Sequence, residues 1–118
     1  VSSVAGARPA PTTAAYGAAK AGLNSLTSSL AVEWAPKVRV NALGVGMVHT
    51  ELTEQMFPNA AAISATIPLG RPAEPDEVGS CAVFLASPLA SYVSGATLLV
   101  HGGGEIPAYL AASEKDVE

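Results

Sequence analysis

Tyr16-Gly17-Ala18-Ala19-Lys20-Ala21-Gly22-Leu23 sets a phenol and an ammonium four residues apart in a run of small side chains. On a helix, positions i and i+4 share a face, one turn apart. A free tyrosine, with a pKa of about 10, is a poor base at neutral pH. A cation about 4 Å from a phenol oxygen favours the phenolate by at most about 4 kcal/mol at an effective dielectric of about 20. That is enough to bring a phenol near neutrality and into acid–base work. Ser3, 13 residues before Tyr16, offers a hydroxyl to hold an oxygen beside it. The Tyr-x-x-x-Lys spacing alone also arises by chance on solvated helix faces.

The helix that carries this stretch is expected to be capped by Thr12 or Thr13 and to run to about Ala35, stopped by Pro36. Leu23, Leu26, Leu30 and Trp34 recur at helical spacing and are expected to form its core face. Gly17 and Gly22 each cost about 1 kcal/mol against alanine in a helix interior. Close approach by another helix or a ligand would compensate.

Val1–Val4 reads as the end of a buried strand, and residues 5–13 as a proline-bearing loop. Val38–Leu43 reads as a buried parallel strand, followed by the loop Gly44-Val45-Gly46-Met47-Val48-His49-Thr50. Ligands of open α/β sheets bind at such carboxyl ends of strands. Residues 51–65 are weakly amphipathic and broken by Pro58 and Asn59. A proline-rich connector follows, and then a helix opening at Glu74-Pro75-Asp76-Glu77 with proline at its start and acids in its first turn. Val78, Ala82, Leu85 and Ala86 give that helix an inward face, with Cys81 a small buried residue. Gly95–Val100 is the last strand, and Gly102–Gly104 is a turn. The tail from Glu105, which includes the charged Ser-Glu-Lys-Asp-Val-Glu, is expected to fray.

Several segments occur together in order: Val-Ser-Ser-Val-Ala-Gly at 1–6, the 16–23 stretch, Arg-Val-Asn-Ala at 39–42 and Pro-Leu-Gly-Arg-Pro at 68–72. Glu-Pro-Asp-Glu-Val at 74–78, Phe-Leu-Ala-Ser at 84–87, Ala-Ser-Tyr-Val-Ser-Gly at 90–95 and Gly-Gly-Gly at 102–104 complete the set. Over about residues 1–105 the chain resembles the C-terminal half of the short-chain dehydrogenase/reductase family, near its 3-oxoacyl-reductase-like branch. The resemblance implies an α/β fold, a Rossmann-like three-layer doubly wound parallel sheet. Residues 1–118 would be the C-terminal part of a single NAD(P)-binding domain. It implies hydride transfer between NAD or NADP and a carbonyl or alcohol substrate, with Ser3, Tyr16 and Lys20 catalytic. Tyr16 and Lys20 would also contact the cofactor, together with Val45, Gly46, Val48 and Thr50.

Where the family usually has Pro-Gly in that loop, this chain has Val45-Gly46, which loses the fixed φ of proline. His101 stands where the family usually has an acid, and reads as a surface residue or one that bears on subunit packing. By the same resemblance, residues 51–65 form a flap over the substrate, with Met47, Leu52, Met56, Phe57 and Ile63 lining an apolar pocket. The early part of the Tyr16 helix would face the active site, while the helix lies at a dimer interface. A homo-oligomer, tetramer or dimer, is implied.

Composition limits the alternatives. The chain has 118 residues, suited to one domain, of which 49% are hydrophobic and 14% charged. Its net charge of −4 gives no basic footprint for nucleic acid or an anionic membrane. A single cysteine excludes an intrachain disulfide and fits a cytoplasmic protein. No apolar run is long enough to span a bilayer. His49 and His101 lack ligand-spaced partners for a metal, and His49 reads as a solvated loop residue. No nucleophile elbow accompanies Ser3. The chain begins at Val1 in what reads as a strand end, so truncation is the simpler expectation. Two other readings stay open: a non-catalytic half-domain serving oligomerisation or packing, and a family member that has kept ligand binding alone.

Overall fold

The computed structural model describes residues 1–113, so part of the expected frayed end, 114–118, lies outside the described residues. Three strands form one parallel sheet in the order β1 (Ser2–Ser3), β2 (Ala42–Val45), β3 (Thr97–Val100). The helices are α1 (Ala14–Glu33), α2 (Glu51–Met56), α3 (Ala60–Ala65), α4 (Pro75–Ala86) and α5 (Ala108–Ala112), the last a short helix within the tail expected to fray. Single 3-10 turns lie at Val4–Gly6 and Pro88–Ala90. Parallel strands joined through helices are the α/β arrangement that the sequence predicts.

The strands are shorter than expected. Strand β2 begins at Ala42, not Val38. Ahead of it, polar groups hold the chain instead of a ladder. Asn41 donates to the Val93 carbonyl at 2.8 Å and accepts from the Ala96 N–H at 3.1 Å, and Arg39 donates to the Val93 carbonyl at 3.1 Å. Gly44 and Val45, expected in the following loop, belong to the strand.

Helix α1 ends at Glu33, two residues earlier than expected. Thr13 is its N-cap residue, but its side chain makes no capping bond; the hydroxyl donates back to the Ala10 carbonyl at 3.4 Å. The buried positions of α1 are Gly17, Thr27 and Ala31, with Leu23 and Leu30 half-buried. Leu26 and Trp34, expected in the core, are about half exposed at 51% and 49%. The helical period was right, but its inward stripe is centred on small residues. Gly17 explains why: a Cβ there would lie 2.9 Å from the Ala5 carbonyl oxygen and 3.0 Å from Ala10 Cβ. The 3-10 turn and its following loop press on α1 backbone to backbone, and bulk is excluded from that side.

Residues 51–65 divide into α2 and α3, with Asn59 accepting from the Ala62 N–H at 3.0 Å to start the second. In α4, Val78, Cys81 and Leu85 are half-buried, whereas Ala82 and Ala86, expected to face inward, are exposed. The triple glycine is a turn in which all three residues have positive φ, between 62° and 96°, a region glycine enters freely. The buried apolar residues are Ala31, Ala42, Leu43, Ile67 and Ala90.

Candidate functional site

All three strands run the same way, so their carboxyl ends share one edge. The register pairs Ser3 with Val45 and Val45 with Val100, which sets three strand ends in one row. From that row emerge the 3-10 turn leading to α1, the loop 46–50 and the glycine turn 102–104.

Ser3 closes β1 and caps the turn that follows, its Oγ accepting from the Ala5 N–H at 3.1 Å. Ser2 faces the other way, as strand alternation requires: it is buried and its hydroxyl donates to the Lys20 carbonyl at 3.3 Å. Tyr16 lies in the first turn of α1 and is half exposed. The Lys20 ammonium stands over its ring, 5.6 Å from the centroid, and donates to the Val1 carbonyl at 3.1 Å. The cation therefore sits on the ring face and ties α1 to the entry of β1. The Ser3 and Tyr16 hydroxyls make no hydrogen bond to each other.

The loop after β2 is held by backbone bonds. Val48 bridges to Ala73 in parallel fashion: His49 N–H donates to the Ala73 carbonyl at 2.8 Å, and Ala73 N–H to the Met47 carbonyl at 3.0 Å. In that pattern the Val48 amide points away from Ala73. Its carbonyl accepts from Thr53 Oγ1 at 2.7 Å, and its N–H has no partner among the described residues. Thr50 caps α2, its Oγ1 accepting from the Thr53 N–H at 3.1 Å. Gly46 continues the ladder to the Val100 carbonyl at 2.9 Å and tolerates no side chain, because a Cβ would lie 2.8 Å from His101 Cβ. Val45, expected in the loop, ends β2 instead, its backbone paired in the sheet.

A cavity of about 360 Å³ lies beside this edge. Met47, Ile67, Leu69, Cys81, Leu99 and His101 contribute to its wall. Of the residues expected to line an apolar pocket, Met47 alone contributes to this wall; Leu52 and Met56 lie exposed on α2, Phe57 lies exposed just after it, and Ile63 is outside the cavity wall. Six-residue helices that each bury little leave those side chains toward solvent. A second, open groove of about 490 Å³ runs between the loop 5–11 and the small-residue face of α1, at Ala14, Gly17, Ala18 and Ala21.

Two charged clusters escaped the sequence reading. His49 Nε2 lies 2.6 Å from Glu54 Oε1, and its Nδ1 3.2 Å from Glu74 Oε1. Glu54 foremost, then Glu74, raises the His49 pKa above its ordinary value. Arg71 grips Glu77 through two bonds, at 2.6 and 3.0 Å. That guanidinium, helped by the Glu74 N–H, holds the Glu77 carboxyl at about 2. Both clusters join residues from separate elements, so no periodicity marks them. Among the described residues, no group of three His, Cys, Asp or Glu is placed to hold a metal ion. No helix among them is long and apolar enough to cross a membrane.

A family profile described as enoyl-(acyl carrier protein) reductase matches residues 1–105. Galactitol 2-dehydrogenase (L-tagatose-forming) from Cereibacter sphaeroides is 48% identical over 92 residues, which are 75% of this chain and 36% of that protein. Among solved structures, 4-hydroxyisoleucine dehydrogenase complexed with NADH aligns with a TM-score of 0.81 at 34% identity, covering 86% of this chain and 44% of that one. An NADPH-bound short-chain oxidoreductase from Pseudomonas aeruginosa PAO1 aligns with a TM-score of 0.80 at 37% identity, over 87% and 43%. The chain spans between 20% and 40% of the length of the first curated relatives it matches. A profile match over nearly the whole chain, on a parallel sheet whose strand ends gather the motif residues, makes the chain a member of the short-chain dehydrogenase/reductase family.

Proposed function

We propose that this chain forms the C-terminal part of a single NAD(P)-binding domain in an oxidoreductase that interconverts a small-molecule carbonyl and alcohol. The observation that supports the reading is that Ser3 ends β1 at the carboxyl edge of the sheet, where ligands of such sheets bind, while the next helix, α1, carries Tyr16 with the Lys20 ammonium over its ring. When bound, a nicotinamide dinucleotide, NAD or NADP, supplies or accepts the hydride. The donor set of the loop suits such a group. The unpartnered Val48 N–H and the Thr50 hydroxyl are polar groups at the strand edge, and Gly46 keeps the adjacent backbone open. Lys20 in this reading brings positive charge to the phenol and to the cofactor's ribose. Tyr16 gives its hydroxyl proton to the carbonyl oxygen in reduction and takes it back in oxidation. Ser3 Oγ holds and polarises that oxygen.

The acid or arginine that chooses between NAD and NADP follows a Gly-x-Gly-x-x-Gly turn, and no such turn occurs in this sequence, so the motifs of this chain leave the choice open. Cytoplasmic placement and a homo-oligomer belong to the same proposal, supported by the unpaired Cys81 and by the exposed Leu26 and Val32 of α1 and Trp34 at its end. Those exposed residues also favour a second reading, a packing module without its own catalysis. The test is Tyr16→Phe in the full-length protein. Turnover should be lost while NADH or NADPH affinity changes little; unchanged turnover would remove Tyr16 from the chemistry and leave the packing module.

A further inference from the structure

His49 stands between Val48 and Thr50, and both of its ring nitrogens face carboxylates on other elements. A neutral imidazole has one N–H and one lone pair, and a carboxylate is an acceptor only. Two carboxylate oxygens, at 2.6 and 3.2 Å, therefore match the doubly protonated ring, which donates from Nε2 to Glu54 and from Nδ1 to Glu74. Glu54 belongs to α2, and Glu74 immediately precedes α4. Apart from this ring, the loop and the entry to α4 are joined by the backbone bridge at Val48 and Ala73.

We propose that His49 is a proton-operated latch, in which the imidazolium clamps the loop 46–50 and α2 onto the entry to α4 and loss of the proton loosens them, leaving the backbone bridge at Val48 and Ala73 to hold the loop. Glu54 and Glu74 both raise the His49 pKa, so the latch outlasts the pH at which a free histidine discharges. Its contribution is complete below about 6.5 and is lost as the pH rises through the elevated native value. The surrounding charges are few. Helix α2 carries Glu51 and Glu54, and α3 carries no ionisable side chain. The entry to α4 carries Glu74, Asp76 and Glu77. Arg71, paired with Glu77, is the nearby cation, and its charge is also felt by Glu74.

The latch stands on this geometry alone; its consequence for function rests on the reading that loop 46–50 holds the cofactor. Amide hydrogen exchange over residues 46–57 of the full-length protein tests it, after correction for intrinsic rates at each pH. Exchange in the wild-type protein should quicken several-fold across the His49 titration, followed in parallel by histidine NMR. His49→Gln and Glu54→Gln should exchange fast at every pH, without a step. A flat wild-type profile, or undiminished protection in both variants, would overturn the latch. NADPH affinity measured alongside separates the two ideas: an exchange step with unchanged affinity keeps the latch and sinks the loop's cofactor role. An affinity change without an exchange step overturns the latch.

Discussion

At the scale of single residues, charge and close approach decide what can be changed. Arg71 and Glu77 are a bidentate pair at the surface, a geometry that makes an exposed ion pair worth measuring. The Glu77 carboxyl is lowered from 4.5 to about 2. A depressed carboxylate adds stability that is present above the unfolded value and lost as pH falls through the native one. Thermal melts of the wild-type protein should therefore lose stability between about pH 4.5 and 2, and Glu77→Gln should flatten that part of the profile. An identical acid limb in the variant would assign the loss to other groups. Gly46→Ala should destabilise by about 1–3 kcal/mol in urea titrations, because its Cβ meets the fixed Cβ and Cα of His101 and not a movable chain end. Of the three catalytic candidates, Tyr16 and Lys20 show in the sequence as a helical i, i+4 pair, and Ser3 joins them through the family resemblance. His49 with its two glutamates was not: Glu74 lies 25 residues away, and only the fold brings it near.

At the scale of elements, the sequence told kinds better than boundaries. Helix α1 was visible from its period, yet its inward face was misjudged because hydrophobicity pointed to Leu26 and Trp34. The buried positions are instead Gly17, Thr27 and Ala31, and close backbone approach accounts for the first of them. Strand β2 was placed early because Val38 and Val40 look like strand residues. Arg39 and Asn41 spend their side chains on the segment before β3 and delay the ladder. The two glycines of α1 now separate. Gly17 is pinned by Ala5 and Ala10, whereas a Cβ on Gly22 would meet nothing within 4 Å. Gly22→Ala should stabilise the helix by up to about 1 kcal/mol. Gly17→Ala should destabilise by about 1–3 kcal/mol through overpacking. Urea midpoints of the two variants should move in opposite directions. If Gly22→Ala also destabilises in the full-length protein, another surface lies against that turn of α1 and the close packing expected of its small residues is found there.

At the scale of the whole molecule, the balance of buried and exposed surface becomes informative. A folded monomer of 11.8 kDa is expected to expose about 5,900 Å². This chain exposes 8064 Å². The excess, of about 2,000 Å² on this one chain, is more than twice the roughly 800 Å² that each partner buries in a standard protein–protein interface. It is rich in large apolar side chains: Val32, Val83, Leu89 and Tyr92 are more than two-thirds exposed, and no large side chain among the described residues is fully buried. Strand β1 pairs with β2 on one side, and its other edge has no strand partner among the described residues. An open parallel edge beside apolar surface is a template for further pairing. The 118-residue chain on its own should therefore bind a hydrophobic dye such as ANS, unfold without a sharp transition and fail to bind NADPH in a titration. The same segment within the full-length protein should melt cooperatively and exclude the dye. A sharp calorimetric transition and no dye binding by the 118-residue chain would mean that its core suffices. Tight NADPH binding by that chain would go further, because the pyrophosphate would then be held without a Gly-x-Gly-x-x-Gly turn, by groups such as the Val48 amide and the α2 cap.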